Sequence, residues 1–456
     1  MNKLPQELVD NISRYLDRDD LKNTLLLSRQ VQYAAERYSG AFSTYILNKH
    51  NSDRFLKIYE GQRFFRYLRR VEFRTSVRGL EGEANRDHRD NPCRDSAEEL
   101  RQMDEDFTLQ IHFLISKLYR VEIQARAVKS LGPRSIEFTI YTPTRTINRG
   151  IYGYCLHRVF TSWAFQTIGL PTKLRHARLN FVYPINYADR VDQSLAMPNF
   201  TELAKYDIFS NCLRLLSSQL RTMTLRLVAD KTIFWPTDGT TPFWPHLESL
   251  SVMFYLDSLS GSWYFRGLRN EGPSEGFDIT KDSYPPLEDT EEDEASDYPF
   301  DWDSHCAWSR YRFIPNDDLL VPFLAAFAKA TTRMPSLKQA ALWAPLMFGV
   351  DFEEHTDFAV SEVSKYCEDS LAWDLSYVRP GTKAFLKKPG EDFSTVRQFW
   401  WKVGKWRPDA ALLDRFQEVG RKEHGSDLKV YLEDFDAGSG LMSRDFFESW
   451  EAEVFG

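Results

Sequence analysis

The chain has few of the residue patterns that accompany catalysis or metal binding. Its nine histidines form no HExxH motif and no H-x3-5-H pair beside cysteines, and no CxxC occurs. There is no GxxxxGK[ST] loop, and Gly438-Ser439-Gly440 lacks the full Gly-x-Gly-x-x-Gly spacing. His305 and Cys306 are adjacent, but neighbouring side chains diverge, so they do not form a nucleophile and its base. We therefore expect no enzyme, no cofactor and no metal.

Long apolar runs and paired cysteines are also missing. No stretch approaches the roughly 20 apolar residues that span a bilayer. The first ten residues, MNKLPQELVD, contain acids where a signal peptide needs an apolar run. The cysteines, at long and unequal spacings, fit free thiols in a reducing compartment: Cys93, Cys155, Cys212, Cys306 and Cys367. We expect a cytoplasmic and/or nuclear protein without a membrane partner.

A general basic excess is absent too. The net charge is −8, and segment 282–303 alone carries ten acids and no base. The rest of the chain is therefore close to neutral, whereas a general nucleic-acid binder has a basic excess. We expect no nucleic-acid partner. The surrounding residues, about 270–305, contain Pro285-Pro286 and are typical of a long, flexible surface insertion.

Two local charge patterns allow a functional or a structural interpretation. Residues 54–78 carry an excess of six positive charges. They form either a surface for an acidic partner or segment, or a solvated helix face that turns Phe55, Ile58, Phe64 and Phe65 inward. Residues 399–407, FWWKVGKWR, either stack single-stranded nucleic acid or fill a core with their cations pointing outward. We favour the structural interpretation for both segments.

What the sequence does contain begins with three short helices over residues 4–38. Pro5 suits a first helical position, and Leu8, Ile12, Tyr15 and Leu16 then form one apolar stripe. Asp19 or Asp20 caps a second helix that continues through Leu25 to Ser28, and a third ends near Tyr38. Helices this short need a partner to pack against.

These residues resemble an F-box. The stretch that carries the resemblance is LPQELVDNISRYLDRDDLKNTLLLSRQVQYAAERY. The positions at that family's spacing include Leu4-Pro5, Glu7-Leu8, Ile12, Tyr15-Leu16 and Asp20-Leu21. The resemblance covers about a tenth of the chain and departs from the family at Val31, where an aromatic residue is common. It implies that this surface binds the Skp-type linker of a cullin–RING ubiquitin ligase. The linker-binding residues it implies are Leu4, Pro5, Glu7, Leu8, Ile12, Leu16, Asp20, Leu21 and Leu27.

A weaker pattern recurs downstream: one apolar residue, two others, then two apolar residues separated by one. It is found at Leu68-Val71-Phe73, Leu118-Val121-Ile123, Leu174-Ala177-Leu179, Leu220-Met223-Leu225, Leu247-Leu250-Val252 and Leu337-Ala340-Leu342. Amphipathic helical stretches precede several copies and are expected to end where each copy starts. Alternating helices and short strands resemble the degenerate leucine-rich-repeat region behind many fungal F-boxes. An unrelated α/β domain is the alternative.

The expected fold is α/β: an N-terminal three-helix F-box, then an irregular leucine-rich-repeat-like solenoid with a C-terminal cap. The expected domains are residues 1–48 for the F-box, 49–345 for the repeats and 346–456 for C-terminal repeats and a capping subdomain rich in tryptophan. On repeat surfaces, partners commonly contact the non-apolar positions of the strands. The target contacts this implies are Arg175, Arg178, Arg221, Arg226, Glu248 and Gln339.

The function that the resemblance implies is that of a substrate-recognition adaptor. The F-box would bind the Skp-type linker, and the repeats would hold an unknown protein substrate near a conjugating enzyme. Two alternatives stay open at this point. One is an F-box and leucine-rich-repeat scaffold outside any ligase, and the other is a hydrolase or transferase in the C-terminal half.

Overall fold

The computed structural model describes the greater part of the chain. The described residues are 4–60, 62–75, 97–126, 136–141, 174–182, 193–199, 201, 208–267, 270, 272–278, 280, 312–346, 371–382, 395–404, 406–432 and 442–443. The acidic segment 282–303, the His305-Cys306 pair and the Gly438-Ser439-Gly440 turn lie outside them. So does most of the insertion expected over 270–305.

Helices alternate with strands along the described chain. The helices are α1 Gln6–Tyr15, α2 Arg18–Thr24, α3 Arg29–Tyr38, α4 Ser52–Tyr59, α5 Gln62–Phe65, α6 Ala97–Arg126, α7 Ile208–Ser217, α8 Asp317–Thr331, α9 Ala410–Gln417 and α10 Arg421–His424. The strands are β1 Thr44–Leu47, β2 Arg70–Arg74, β3 Ile136–Tyr141, β4 Leu174–Asn180, β5 Pro198–Asn199, β6 Thr222–Leu227, β7 Ser249–Phe254, β8 Phe265–Arg266, β9 Phe277–Asp278, β10 Ile314–Pro315, β11 Gln339–Leu346, β12 Leu371–Val378, β13 Arg397–Lys402, β14 Leu428–Leu432 and β15 Met442–Ser443. The α/β class is confirmed.

One sheet of eleven strands organises the structure. Its order is β1-β2-β3-β4-β6-β7-β11-β12-β13-β14, with β15 beside β12. From β1 to β14, each strand of this sheet therefore lies next to its predecessor, whereas β15 lies beside β12; the pairs from β1 to β11 are all parallel. The direction reverses only at β12, which is antiparallel to β11 and β13, and β14 is parallel to β13.

Five of the six recurrent motifs enter strands of this sheet. They lead into or lie within β2, β4, β6, β7 and β11, and their apolar residues are buried in one large core cluster. The strand expected at Leu118-Val121-Ile123 is wrong, because these residues lie inside α6. Leu118 and Val121 are buried and Ile123 is half exposed, which is the burial expected of a helix face.

The strand that sequence reasoning missed is β3. Its Phe138 and Ile140 pair with Val71 and Phe73 of β2, so they occupy the positions that the motif describes. The residue three positions before Phe138 is Ser135, and this polar residue breaks the motif. A strand of this sheet therefore forms without the first apolar position of the motif.

Every second strand residue points to the helix-covered face, and the others form a second, more polar face. Facing the helices, Met223 of β6 lies beside Leu250 of β7, which lies beside Ala340 of β11. On the polar face, one register row runs through neighbouring strands as Arg70, Glu137, His176, Thr222, Ser249 and Gln339.

The C-terminal strands continue the same sheet. Trp373, Phe399 and Trp401 belong to the large apolar cluster, and Trp406 packs against it. The core interpretation of residues 399–407 is therefore confirmed for these aromatics. The expectation that the interleaved cations point outward is wrong at Lys402, which is buried beside Asp374 of β12.

Candidate partner-binding surface

The three N-terminal helices form a unit with its own small core. Val9 of α1, Leu21 of α2 and Ala34 and Ala35 of α3 are buried. Among the described residues, the large apolar cluster of the sheet begins at Leu47 and includes none of these four. Alanine at two successive positions lets α1 approach α3 closely. The buried apolar residues of this unit are thus separate from the large apolar cluster, while Glu36 of α3 contacts Arg63 of α5.

Local capping explains where these helices begin. Asp17 accepts hydrogen bonds from the backbone of Asp19 at 3.0 Å and of Asp20 at 2.8 Å, which starts α2. Ser28 accepts one from Val31 at 3.3 Å and starts α3. The expectation that the second helix continues to Ser28 is wrong, because α2 ends at Thr24 and residues 25–27 form a turn.

The apolar stripe of α1 faces solvent rather than the core. Ile12 is 55% exposed and Tyr15 is 88% exposed, whereas Val9 and Ser13 on the opposite side are buried. A surface helix normally buries its apolar stripe, so this orientation is the reverse of the usual one.

The turn after α2 adds to the exposed apolar area, with Leu26 97% exposed. We call the exposed set the leucine face: Leu4, Leu8, Ile12, Tyr15, Leu25, Leu26 and Leu27. Large apolar side chains clustered on a surface mark an interaction site.

The structure separates the nine sequence-derived linker residues into two groups. Exposed members are Leu4, Pro5, Glu7, Leu8, Ile12, Asp20 and Leu27, and Leu16 is partly exposed. Leu21 is only 2% exposed. Its placement at the contact surface is corrected: it is buried in α2, which packs against α3. Tyr15, which the sequence places in the apolar stripe of α1, is exposed together with that stripe. Sequence reasoning did not assign Leu25 and Leu26 to the surface, because their outward direction depends on how α2 packs.

Ion pairs connect the helical unit internally and to the sheet. Arg37 of α3 lies 3.1 Å from Asp10 of α1. Glu36 of α3 is buried and accepts two hydrogen bonds from Arg63, one of them from Nε at 3.2 Å. The Glu36 carboxylate raises the pKa of the Arg63 guanidinium. Because two parallel donors meet one carboxylate, this bidentate pair fixes geometry as well as charge.

Aromatic contacts complete this joint. The guanidinium of Arg63 lies 5.5 Å from the ring centre of Tyr33, and that of Arg66 lies 5.1 Å from it. The Tyr67 hydroxyl donates to the Tyr33 carbonyl at 3.4 Å. The basic residues of 54–78 thus include the cations that join the helical unit to the sheet. The four aromatic and aliphatic residues that were expected to turn inward do so. Phe55 is buried in the large apolar cluster, and Ile58, Phe64 and Phe65 pack against it.

The target-contact candidates fall into two places. Arg178, Arg226 and Gln339 lie on the polar face of the sheet. At its amino-terminal edge, Arg175 is the second residue of β4, and Arg221 and Glu248 directly precede β6 and β7.

Next to this edge, the His176 ring nitrogen Nδ1 lies 2.7 Å from the Thr222 hydroxyl. Burial lowers the pKa of His176, and the nearby Arg221 lowers it further. We therefore expect a neutral ring at this position at neutral pH.

Burial also shifts the pKa of titratable groups elsewhere in the described part of the chain. Burial raises the pKa of Asp257 to about 7. Burial also raises the pKa of Asp374 well above its usual range, while it lowers that of the neighbouring Lys402. A small cavity between α7 and the sheet is lined by apolar side chains together with Arg214 and Ser217. No group of three potential metal ligands occurs in the described ranges.

Comparison of the chain with family models, with curated proteins and with solved structures gave no match. Of the helices that the structure describes, none combines the length and apolarity needed to cross a bilayer.

Proposed function

We propose that this chain is the substrate-recognition adaptor of an SCF-type cullin–RING ubiquitin ligase. Its helices α1 to α3 would be an F-box that binds the Skp-type linker, and the sheet region would hold a target protein. The observation that carries this proposal is the leucine face. Apolar residues at F-box spacing lie exposed on a three-helix unit with its own small core.

The exposed stripe favours a protein partner over an incidental surface. Isolated exposed leucines are ordinary, but a monomer seldom exposes a whole helix stripe together with three successive leucines. Glu7 and Asp20 are exposed as well, so they can supply polar contacts at the rim. A linker that covers the leucine face would remove apolar area from water at about 25 cal/mol per Å².

The sheet supports the leucine-rich-repeat-like part of the proposal. Strands added in chain order and paired in parallel suit a solenoid, in which each unit contacts only its neighbours. Helices α7 and α8 each precede a strand of this series, as a repeat of helix, turn and strand requires. The antiparallel β12 would then begin the C-terminal cap.

The proposed mechanism is tethering rather than chemistry on this chain. A target held by the sheet region would be presented to a conjugating enzyme carried elsewhere in the complex. The rate would come from effective concentration, which reaches the millimolar range for tethered partners.

Size-exclusion chromatography of the intact chain mixed with Skp-type linker and cullin tests this proposal. We expect all three proteins to elute as one complex. The variant Ile12→Asp should elute apart from the linker, because it would bury an unpaired charge in the interface. Leu215→Asp is the matched control, since Leu215 is an exposed leucine on α7. Co-elution with the linker but never with cullin would favour the scaffold outside a ligase, and elution apart from both would refute the proposal.

A further inference from the structure

The amino-terminal edge of the sheet carries a row of neighbouring cations. Arg175 is the second residue of β4, Arg221 directly precedes β6, Lys338 directly precedes β11, and Arg379 directly follows the antiparallel β12. We call these four residues the basic rim. Glu248, which precedes β7, is the one acid among them.

Backbone hydrogen bonds fix the five residues side by side. The Arg221 amide donates to the Arg175 carbonyl at 2.6 Å, and the Glu248 amide donates to Arg221 at 2.7 Å. The series continues from Lys338 to Glu248 at 2.7 Å and from Arg379 to Lys338 at 2.9 Å. Neighbouring strands lie about 4.8 Å apart, so four steps give a row roughly 19 Å long.

The rim keeps a positive excess after its internal contacts are counted. Lys338 lies 2.5 Å from Glu248, and Arg221 lies 3.9 Å from the same carboxylate. The side chains of Arg221 and Lys338 are 58% and 43% exposed. Arg175 uses one nitrogen to donate to the Gln219 carbonyl at 2.8 Å, which leaves its charge unneutralised. Four cations therefore share one carboxylate.

We propose that the basic rim is the docking site for an extended acidic segment of a partner protein. A row of about 19 Å matches six residues of extended chain at roughly 3.3 Å each. Charge complementarity of this kind steers association and selects partners. An acidic peptide fits better than a nucleic acid because the chain as a whole is negative, with a net charge of −8, and repels a long polyanion.

This inference deepens the proposed function by assigning the chemistry of the target. The two ideas are separable, because the rim lies on the sheet and the leucine face lies on α1 and the turn after α2. If a rim variant loses peptide binding but still binds the linker, the adaptor proposal is unaffected by that loss.

Fluorescence anisotropy of a labelled ten-residue poly-glutamate peptide with the intact chain tests the inference. We expect saturable binding at 50 mM NaCl and binding about tenfold weaker at 300 mM, because exposed charges are screened by salt. The double variant Arg221→Gln and Arg379→Gln should bind about tenfold more weakly, while it keeps the ion pair of Lys338 with Glu248. The matched control is Arg415→Gln with Lys422→Gln, which removes two exposed arginine and lysine charges from the C-terminal helices.

A second variant changes binding in the opposite direction. Glu248→Gln removes the one acid of the rim and should tighten peptide binding several-fold. This gain cannot arise from a misfolded protein. Three results would each overturn the inference. The intact chain could show no saturable binding of poly-glutamate, the rim and control variants could lose the same affinity, or Glu248→Gln could leave the affinity for the peptide unchanged. Tighter, rim-dependent binding of a ten-nucleotide oligo-uridine would overturn it in favour of RNA.

Discussion

In α1, adjacent side chains have opposite environments. Leu8 is exposed on the leucine face, whereas Val9 next to it lies in the core of the helical unit. The same contrast separates Leu8 from Leu21, which is buried in α2. Two leucines of one small unit therefore differ in environment: Leu21 is buried and contributes to folding, whereas Leu8 belongs to the surface proposed to bind the linker.

Alanine substitution should separate these two contributions. Leu21→Ala removes a buried side chain and should lower the free energy of unfolding of the helical unit by about 2–5 kcal/mol. Leu8→Ala should change it by no more than about 0.5 kcal/mol, because Leu8 is exposed. Urea unfolding followed by helical circular dichroism measures both. Equal destabilisation by the two variants would contradict the orientation of α1 described here.

Arg63 should stabilise the joint between the helical unit and the sheet. Arg63→Ala leaves the Glu36 carboxylate buried without the two donors that it has in the structure. An unsatisfied buried acceptor costs about 1–3 kcal/mol, so the variant should unfold at lower urea. The double variant Arg63→Ala with Glu36→Leu should recover part of this loss, since it removes the buried charge. If Arg63→Ala unfolds at the same urea concentration as the unmodified chain, the pair contributes nothing to stability.

Asp257 should make stability fall with rising pH. Burial raises its pKa in the folded state to about 7, above the ordinary value of 3.8. Between these values the folded chain binds a proton that the unfolded chain has released, so the free energy of unfolding declines as the pH rises from about 4 to 7. The difference corresponds to at most about 4 kcal/mol. Asp257→Asn should flatten this part of the pH profile measured by urea unfolding, and a parallel profile would contradict the prediction.

The elements of the helical unit should open more readily than those of the sheet. Helices of seven to ten residues are unstable alone, and this unit has its own small core. Amide hydrogen exchange should therefore be faster in α1 and α2 than in the central strands β6 and β7. Adding Skp-type linker should slow exchange in the helices, because a ligand stabilises the state it binds. Equal protection of helices and strands without linker would contradict this expectation.

Sequence patterns located most of these elements because their signals are local. Alternating apolar residues describe β4, β6 and β7 wherever these strands pair, whereas the cap of α2 is Asp17 rather than the expected Asp19 or Asp20. The motif at Leu118 lies in the long helix α6, since the three-residue spacing of Leu118 and Val121 also suits one helix face, while Ile123 falls outside that face and is half exposed. The start of the sheet was placed too late, because β1 lies within the residues assigned to the F-box.

The candidate site depended more on packing than on pattern. The apolar stripe of α1 was evident in the sequence. Its exposure to solvent depends on how α1 packs against α3, in which Ala34 and Ala35 are buried. The neighbouring positions of Arg221, Lys338 and Arg379 could not be predicted either, since residues far apart in the chain become adjacent only through strand pairing. Local sequence signals therefore predict helices and strands, whereas the two candidate surfaces form only when these elements pack together.

At the scale of the whole molecule, the chain has two surfaces of different chemistry. The leucine face is apolar and lies on the helical unit, while the basic rim is charged and lies on the sheet. The joint of Glu36 with Arg63 connects the two parts. In the proposed adaptor, the first surface would anchor the chain to the ligase and the second would hold an acidic target.

Calorimetric titration of Skp-type linker into the intact chain at several temperatures tests the central claim most directly. We predict one linker bound per chain, with a negative heat-capacity change because the leucine face leaves water. Leu8→Asp with Ile12→Asp should abolish the heat of binding, whereas Leu215→Asp on α7 should leave it unchanged. The absence of binding by the unmodified chain at tens of micromolar would contradict the account.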